Sequence, residues 1–468
     1  MSNCTVEKIG GTSMSRFQTV LKHIIIGDRK DKDLYNRVFV VSAYSGITNM
    51  LLEHKKKAEP GVFTYYNNDD DKWQRQLIKV KEQMLEINKG FKDIGLDLSV
   101  ANDFVEKRIN ETIVCLSDLI RLCSYGHFSR EEFIPAVREL LSSIGEAHSA
   151  FNTANILNNN GVKAVFVDLT GWKDENKFPV TEVIAKAFAD IDVSKVIPIV
   201  TGYIKCTEGF VTNFERGYSE ITLSKIATFL KAKEVVVHKE YDLCSADPEI
   251  LGADRVKIVP EINYDMADQL ADLGMEAIHP RAAKELMKNN VVIRVKNIFQ
   301  QNHPGTVISN DAYKGRAPGV EVICGNNNMT SIEVWDTEMI GQSGYDYKLV
   351  SCLDKYGISY ISKVASGNTI THIVYSAEKN LNKCIEEMKT LFTTAKIDVK
   401  NVAVLSLVGN LDAKGILGKG AKAIADSGIK IWTSITPIRQ INLQFVVARE
   451  DYATALSALH KVFIEEKN

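Results

Sequence analysis

Nothing in this 468-residue sequence approaches the roughly 18 uncharged apolar residues that a membrane span requires, and no long apolar run near its start resembles a signal peptide. A membrane-spanning or secreted protein is therefore not expected, and a cytoplasmic location is. Charge of one sign is also missing. With 57 basic and 59 acidic residues the formal net charge is −2, which exerts no general pull toward nucleic acid or an anionic membrane. The eight cysteines are scattered without any C-x-x-C pair, which argues for reduced thiols buried as small hydrophobes rather than a disulfide framework. The nine histidines show no metal-ligand spacing, so no metal held by the protein itself is expected. What remains is ordinary globular usage, 45% hydrophobic and 25% charged, in a chain long enough for two or three domains.

Two segments carry chemistry. In Lys8-Ile9-Gly10-Gly11-Thr12-Ser13 a short apolar strand ends at a Gly-Gly turn, and Ser13 is placed to cap a helix that begins near Phe17. Backbone N–H groups at such a turn, together with the lysine charge, favour a phosphate. The loop is not a Walker A sequence, whose lysine follows the glycines. Taken alone it equally describes a plain strand-to-helix connection. The second segment, Glu215-Arg216-Gly217-Tyr218-Ser219-Glu220, looks like the other half of one phosphoryl-transfer site.

The first two thirds of the chain read as α/β. Val38-Phe39-Val40-Val41 is an apolar strand running into Ser42-Ala43-Tyr44-Ser45-Gly46, and comparable strand-then-turn units recur at 162–169, 196–202 and 234–238. Helical patterns lie between them, notably over 71–92 and 130–158. This alternation predicts a mainly parallel sheet with helices on both faces and ligands beyond the carboxyl ends of the strands. After the polar stretch at 309–319 the plan changes to a twofold repeat of strand, glycine-bearing loop, helix, strand, strand, with a last helix after Asp451. Such a repeat fits two small α+β modules, with or without a ligand.

Taken together, these motifs resemble the aspartate kinases of the amino-acid kinase superfamily, with two C-terminal ACT modules. Lys8 to Ser13 is similar to that family's K-F-G-G-T-S, VVSAYSGITNML at 40–51 to its V-V-S-A-x-x-G-x-T-N-x-L, and Ser143-Ile144-Gly145-Glu146 to its S-x-G-E. Arg216-Gly217-Tyr218-Ser219-Glu220 is similar to R-G-G-S-D. Later, Ile278-His279-Pro280-Arg281, the strand at 292–299 and Pro304-Gly305-Thr306 follow the family's pattern in order. E-K-I-G-G-T-S-M, H-K-E and E-R-G-Y-S-E further resemble a subgroup associated with ectoine synthesis.

The resemblance implies a three-layer amino-acid kinase domain with a mainly parallel sheet over 1–310, then ferredoxin-like ACT modules over 311–395 and 396–468, leaving room for a segment shared between the two. It implies transfer of the γ-phosphoryl of ATP, with Mg²⁺, to the side-chain carboxylate of L-aspartate. The catalytic residues would be Lys8, neutralising the transferred group, and Glu220, orienting Lys8. Ser42, Thr48, Glu146, Arg216 and Ser219 would bind substrate, with Arg216 gripping the α-carboxylate and Glu146 the α-ammonium. Lys8, Gly10, Gly11, Ser13, Lys239, Asp242 and Asp247 would contact the nucleotide, with Ser219 also near phosphate oxygens. His279 reads as a structural histidine at a turn. A homodimer or dimer of dimers through the ACT modules, and lysine or threonine as effector, are implied as well.

This chain departs from the family on the nucleotide side. His238-Lys239-Glu240-Tyr241-Asp242 stands where T-D-V-D-G is usual, Cys244, Glu249 and Glu276 replace a tyrosine, an arginine and a lysine, and Glu220 replaces an aspartate. Lys239 and Glu276 could pair with reversed polarity. These changes keep two alternatives open: an aspartate-binding regulatory protein without kinase activity, or a different amino-acid kinase.

Overall fold

The structure is a computed structural model that describes residues 3–54, 59–211, 217–300, 302–312 and 317–466. The chain divides into two compact units, Met1–Asp242 with Ile278–Asn310, and Leu243–Ala277 with Asp311–Asn468.

In the first unit the apolar runs become strands: β1 (Thr5–Ile9), β2 (Arg37–Val41), β3 (Ala164–Val167), β4 (Ile197–Thr201), β5 (Glu234–Lys239), β6 (Val292–Asn297) and β7 (Thr306–Ile308). They lie in the order β3-β4-β2-β1-β5-β6-β7, parallel except that β7 pairs antiparallel with β6. β2 and β4 are buried along their whole length, as their unbroken hydrophobic runs require. β1 lies between β2 and β5, so the chain leaves it in both directions. The carboxyl ends at this reversal form the usual crevice for a ligand.

Three long helices support this crevice: α1 (Lys72–Gly90), α2 (Leu98–Cys123) and α3 (Arg130–Asn159). In α1 the buried residues Trp73, Leu77, Val80 and Met84 repeat at helical spacing and enter the core with Phe39, Leu51 and Ile144. α2 was not anticipated from the sequence. Its N-terminus is capped by Asp97, whose carboxylate accepts the amides of Ser99 and Val100.

Residues 243–277, read from the sequence as part of 1–310, group with the C-terminal unit instead. Ser245 explains this locally. Its carbonyl accepts the Ile323 amide at 2.7 Å, its hydroxyl meets His460 Nε2 at 2.9 Å, and Ala246 and Leu251 pack with Leu405 and Phe445.

The second unit holds an antiparallel sheet of β8 (Gly319–Trp335), β9 (Tyr360–Ser366), β10 (Thr369–Tyr375), β11 (Lys396–Asn410), β12 (Thr433–Ile435) and β13 (Asn442–Ala448), in the order β9-β10-β8-β11-β13-β12. β8 and β11 pair from Gly319↔Asn410 to Trp335↔Lys396, so both modules draw on both strands. Ile332 and Val334 pack under the helices Tyr345–Lys355 and Leu381–Leu391, whereas Val320 and Ile323 pack with Ala403, Leu407 and the helices Ile416–Asp426 and Tyr452–His460. The boundaries 311–395 and 396–468 therefore do not follow the cores: the first half of β8 belongs with the second module, and the helix Leu381–Leu391, unforeseen from the sequence, completes the first.

Candidate active site

Lys8 lies near the end of β1, in register with Val40 and Val237. Its ammonium meets Glu220 Oε1 at 3.0 Å, with both side chains largely buried. Glu220 sits in the first turn of α4 (Tyr218–Leu230), which Gly217 enters with φ 90°, a conformation costly for any residue with a Cβ. Its second oxygen accepts the His279 amide at 2.5 Å. Burial opposes the charge on Glu220, but Lys8, Lys239 and these hydrogen bonds together hold its carboxyl below the ordinary range. Glu220 thus positions the Lys8 ammonium. His279 is a turn residue: it caps the helix Pro280–Lys288, its Nδ1 accepting the Arg281 amide at 3.3 Å.

Glu146 enters from α3 within a run that is buried from Ser142 to Ala150. It is 3% exposed, and its Oε2 has no hydrogen-bond partner among the described residues. Burial pushes its carboxyl well above the ordinary range, against the pull of the Lys8 charge and a hydrogen bond from the Tyr203 amide. Gly202, just past β4, gives this carboxylate room: a Cβ there would stand 2.7 Å from Glu146 Oε2 and 2.5 Å from Ser219 Cβ.

Ser42, at the end of β2, places its hydroxyl 2.9 Å from that of Ser219. Lys8, Gly11, Ser42, Thr48, Glu146 and Ser219 line one cleft of about 280 Å³. The cleft therefore brings together an ammonium held by a carboxylate, a buried carboxylate and several hydroxyls. Such an arrangement can hold a small zwitterion by its ammonium and neutralise an anion built beside it. Thr12 and Asn49 also line the cleft, and the neighbouring Ser13 is held by Glu240. The first two lie inside motifs legible in the sequence, but only the fold shows which way they face.

The residues expected at the nucleotide are less concentrated. Gly10 lies beside the Lys8 ammonium, where a Cβ would approach to 3.6 Å, and at Gly11 a Cβ would meet the Ala43 carbonyl at 2.7 Å. Ser13 does not cap the helix near Phe17: the helical turn Gly11–Met14 already starts at Gly10, and the fully buried Ser13 hydroxyl donates to Glu240 at 2.6 Å. Lys239 ends β5 and acts electrostatically on Glu220. Asp242 accepts a hydrogen bond from Asn297 at 2.9 Å. Asp247 belongs to the second unit, where it caps the helix Pro248–Leu251 through the Glu249 amide at 2.8 Å. Arg216 lies outside the described residues.

Comparison with known proteins gives a consistent picture. Residues 3–297 match the model of the amino acid kinase family. Over 467 residues the chain is 45% identical to the aspartate kinase Ask_Ect of Stutzerimonas stutzeri, covering 99% of this chain and 98% of that protein. Among solved structures, the aspartate kinase of Clostridium acetobutylicum superposes with a TM-score of 0.74 at 20% identity, covering 98% of this chain and 100% of that one. Aspartokinase III of Escherichia coli, solved with lysine and aspartate, gives 0.71 at 20% identity, covering 98% and 99%.

Proposed function

The chain belongs to the amino acid kinase family and, within it, to the aspartate kinases, and on that premise we propose how its cleft performs the reaction. The enzyme phosphorylates the side-chain carboxylate of L-aspartate at the expense of ATP, giving 4-phospho-L-aspartate, the first step of aspartate-family amino-acid synthesis. The observation that carries the residue roles is the single cleft shared by Lys8, Ser42, Thr48, Glu146 and Ser219.

Aspartate binds with its α-ammonium against Glu146, converting an unpaired buried carboxylate into half of an ion pair. Ser42, Thr48 and Ser219 orient it through their hydroxyls, and Arg216 takes the α-carboxylate. The substrate carboxylate is already an anion, so no general base is required. One of its oxygens attacks the γ-phosphorus while the bond to the β–γ bridging oxygen breaks, and ADP leaves with that electron pair. Lys8, fixed by Glu220, offsets negative charge on the transferred group. Gly10 and Gly11 let the backbone approach the phosphates, with Lys239 nearby. Kinases of this family use ATP with Mg²⁺. Among the described residues no three carboxylate, histidine or cysteine side chains cluster as a metal site, and the cleft offers hydroxyls, an ammonium and the single carboxylate of Glu146. That donor set fits a cation carried in on the nucleotide phosphates, where it would neutralise their charge.

Ectoine synthesis is the branch favoured by the sequence subgroup. The antiparallel sheet of the second unit supports an amino-acid effector there, lysine or threonine, and assembly as a homodimer or dimer of dimers; the lysine bound to the Escherichia coli relative favours the former. Among the described residues no helix is long and apolar enough to cross a membrane.

An ATP- and aspartate-dependent assay that traps acyl phosphate with hydroxylamine tests the proposal. Hydroxamate is expected from the parent and not from Lys8→Ala; activity surviving in that variant would remove Lys8 from its role.

A further inference from the structure

Three elements of the cleft meet at Ser42, just past the end of β2. Its amide donates to the Ile9 carbonyl at 3.1 Å, beside Lys8 on β1, and its hydroxyl meets that of Ser219 on α4 at 2.9 Å. Its carbonyl accepts the hydroxyl of Ser149 at 2.8 Å. Ser149 is fully buried on α3, one turn beyond Glu146.

A serine inside a helix ordinarily returns its hydroxyl to a carbonyl three or four residues back. Thr153, one turn further along α3 and equally buried, behaves in this way and donates to the Ser149 carbonyl at 2.7 Å. Ser149 also has such a carbonyl within reach, that of Glu146 at 3.1 Å. The Ser42 carbonyl, 107 residues away in sequence, nevertheless lies closer.

Gly145 brings the two backbones to this separation. It precedes Ser149 by one turn on the same face of α3, and a Cβ there would stand 2.8 Å from Ala43 Cβ and 3.0 Å from Ile47 Cγ2. The helix therefore presses directly on the segment that follows β2, and a side chain as short as serine bridges the gap. Glu146 projects from the same turn of helix.

We propose that Ser149 is a positioning residue for aspartate: by holding the Ser42 carbonyl it sets the spacing between the Ser42 hydroxyl and the Glu146 carboxylate. The inference rests on the reading of Ser42 and Glu146 as aspartate contacts. Both contacts serve the bound substrate and the transition state alike, so their misalignment weakens aspartate binding and leaves the chemical step largely untouched.

The test compares the full chain with Ser149→Ala, Ser42→Ala, the double variant and Thr153→Val, using the hydroxylamine assay for kcat and both KM values and recording each melting temperature. Ser149→Ala is expected to raise KM for aspartate about three- to tenfold, the range of one uncharged hydrogen bond, with kcat and KM for ATP within twofold of the parent. Thr153→Val, which removes a buried hydroxyl from the next turn, should lower the melting temperature about as much and leave KM for aspartate within twofold. The double variant should stay within twofold of the more affected single one, because Ser149 acts through Ser42. An unchanged KM in Ser149→Ala, an equal rise in Thr153→Val, or single effects that multiply in the double variant would each overturn the role of Ser149 alone. An unchanged KM in Ser42→Ala would remove the Ser42 contact first and this inference with it.

Discussion

Replacing Glu146 by Gln preserves shape and removes only the charge. In the free protein the Glu146 carboxyl is buried, 3% exposed, one oxygen lacks a partner, and its pKa stands well above the ordinary range. Aspartate's ammonium needs the ionised form. Below the raised pKa the enzyme must therefore release a proton to bind substrate, so KM for aspartate should fall as pH rises, roughly tenfold per unit, and level off above that pKa. A hydrogen bond to a charged group contributes roughly 1.5–3 kcal/mol, so Glu146→Gln should raise KM for aspartate about 10- to 150-fold above the pKa, with a smaller change in kcat. The variant's KM should also lose its pH dependence. Its stability near neutral pH should equal or exceed the parent's, because an uncompensated buried carboxyl has been removed. Initial rates over aspartate concentration at several pH values, paired with urea unfolding, measure all of this. An unchanged KM, or a pH profile that persists in the variant, refutes the pairing.

Glu220→Asp withdraws the carboxylate by roughly 1 Å from an ammonium now 3.0 Å away, and Glu220→Gln removes its charge; each should lower kcat about 10- to 100-fold with little change in nucleotide KM, checked by steady-state kinetics. Gly202→Ala forces a methyl group to within 2.5 Å of Ser219 Cβ and 2.7 Å of Glu146 Oε2, and should cost about 1–3 kcal/mol in thermal unfolding while raising KM for aspartate. His148 is fully buried, hydrogen-bonded to Asn88 at 2.6 Å, and its pKa is pushed down to about 3 by burial. The folded state keeps it neutral where the unfolded chain takes up a proton, so its contribution is complete above about pH 6.5 and lost as pH falls toward 3; the urea midpoint should drop between pH 7 and 5, and less steeply in His148→Gln.

The parallel sheet was legible because buried strands leave unbroken apolar runs, as in Val38 to Val41, and because glycine turns mark where they end. That Lys8, Ser42 and Glu146 share one cleft follows a pattern visible in the sequence, since each sits in a short motif at the end of a strand or in a long helix. Ser13 was misread because a serine before an apolar helix looks like a cap, whereas its hydroxyl answers to Glu240, which is 227 residues away in sequence. The same distance hid the assignment of residues 243–277, since their pattern resembles the segments before them and only contacts such as Ser245 with His460 separate them. Glu7 gave no signal of a partner, and His238, whose Nε2 lies 2.8 Å from its carboxylate, stood out only as a departure from the family's usual pattern. Their meaning depends on β1 and β5 lying side by side.

The shared pair β8 and β11 also sets an order of events during synthesis. Val320 waits for Gly409, about 90 residues later, and Trp335 for Lys396. The first module, although encoded earlier, therefore closes only when the strand that also founds the second has emerged from the ribosome. A chain ending after residue 395 would carry β8, β9 and β10 without β11, the strand that β8 pairs with along its length, so neither module would be complete.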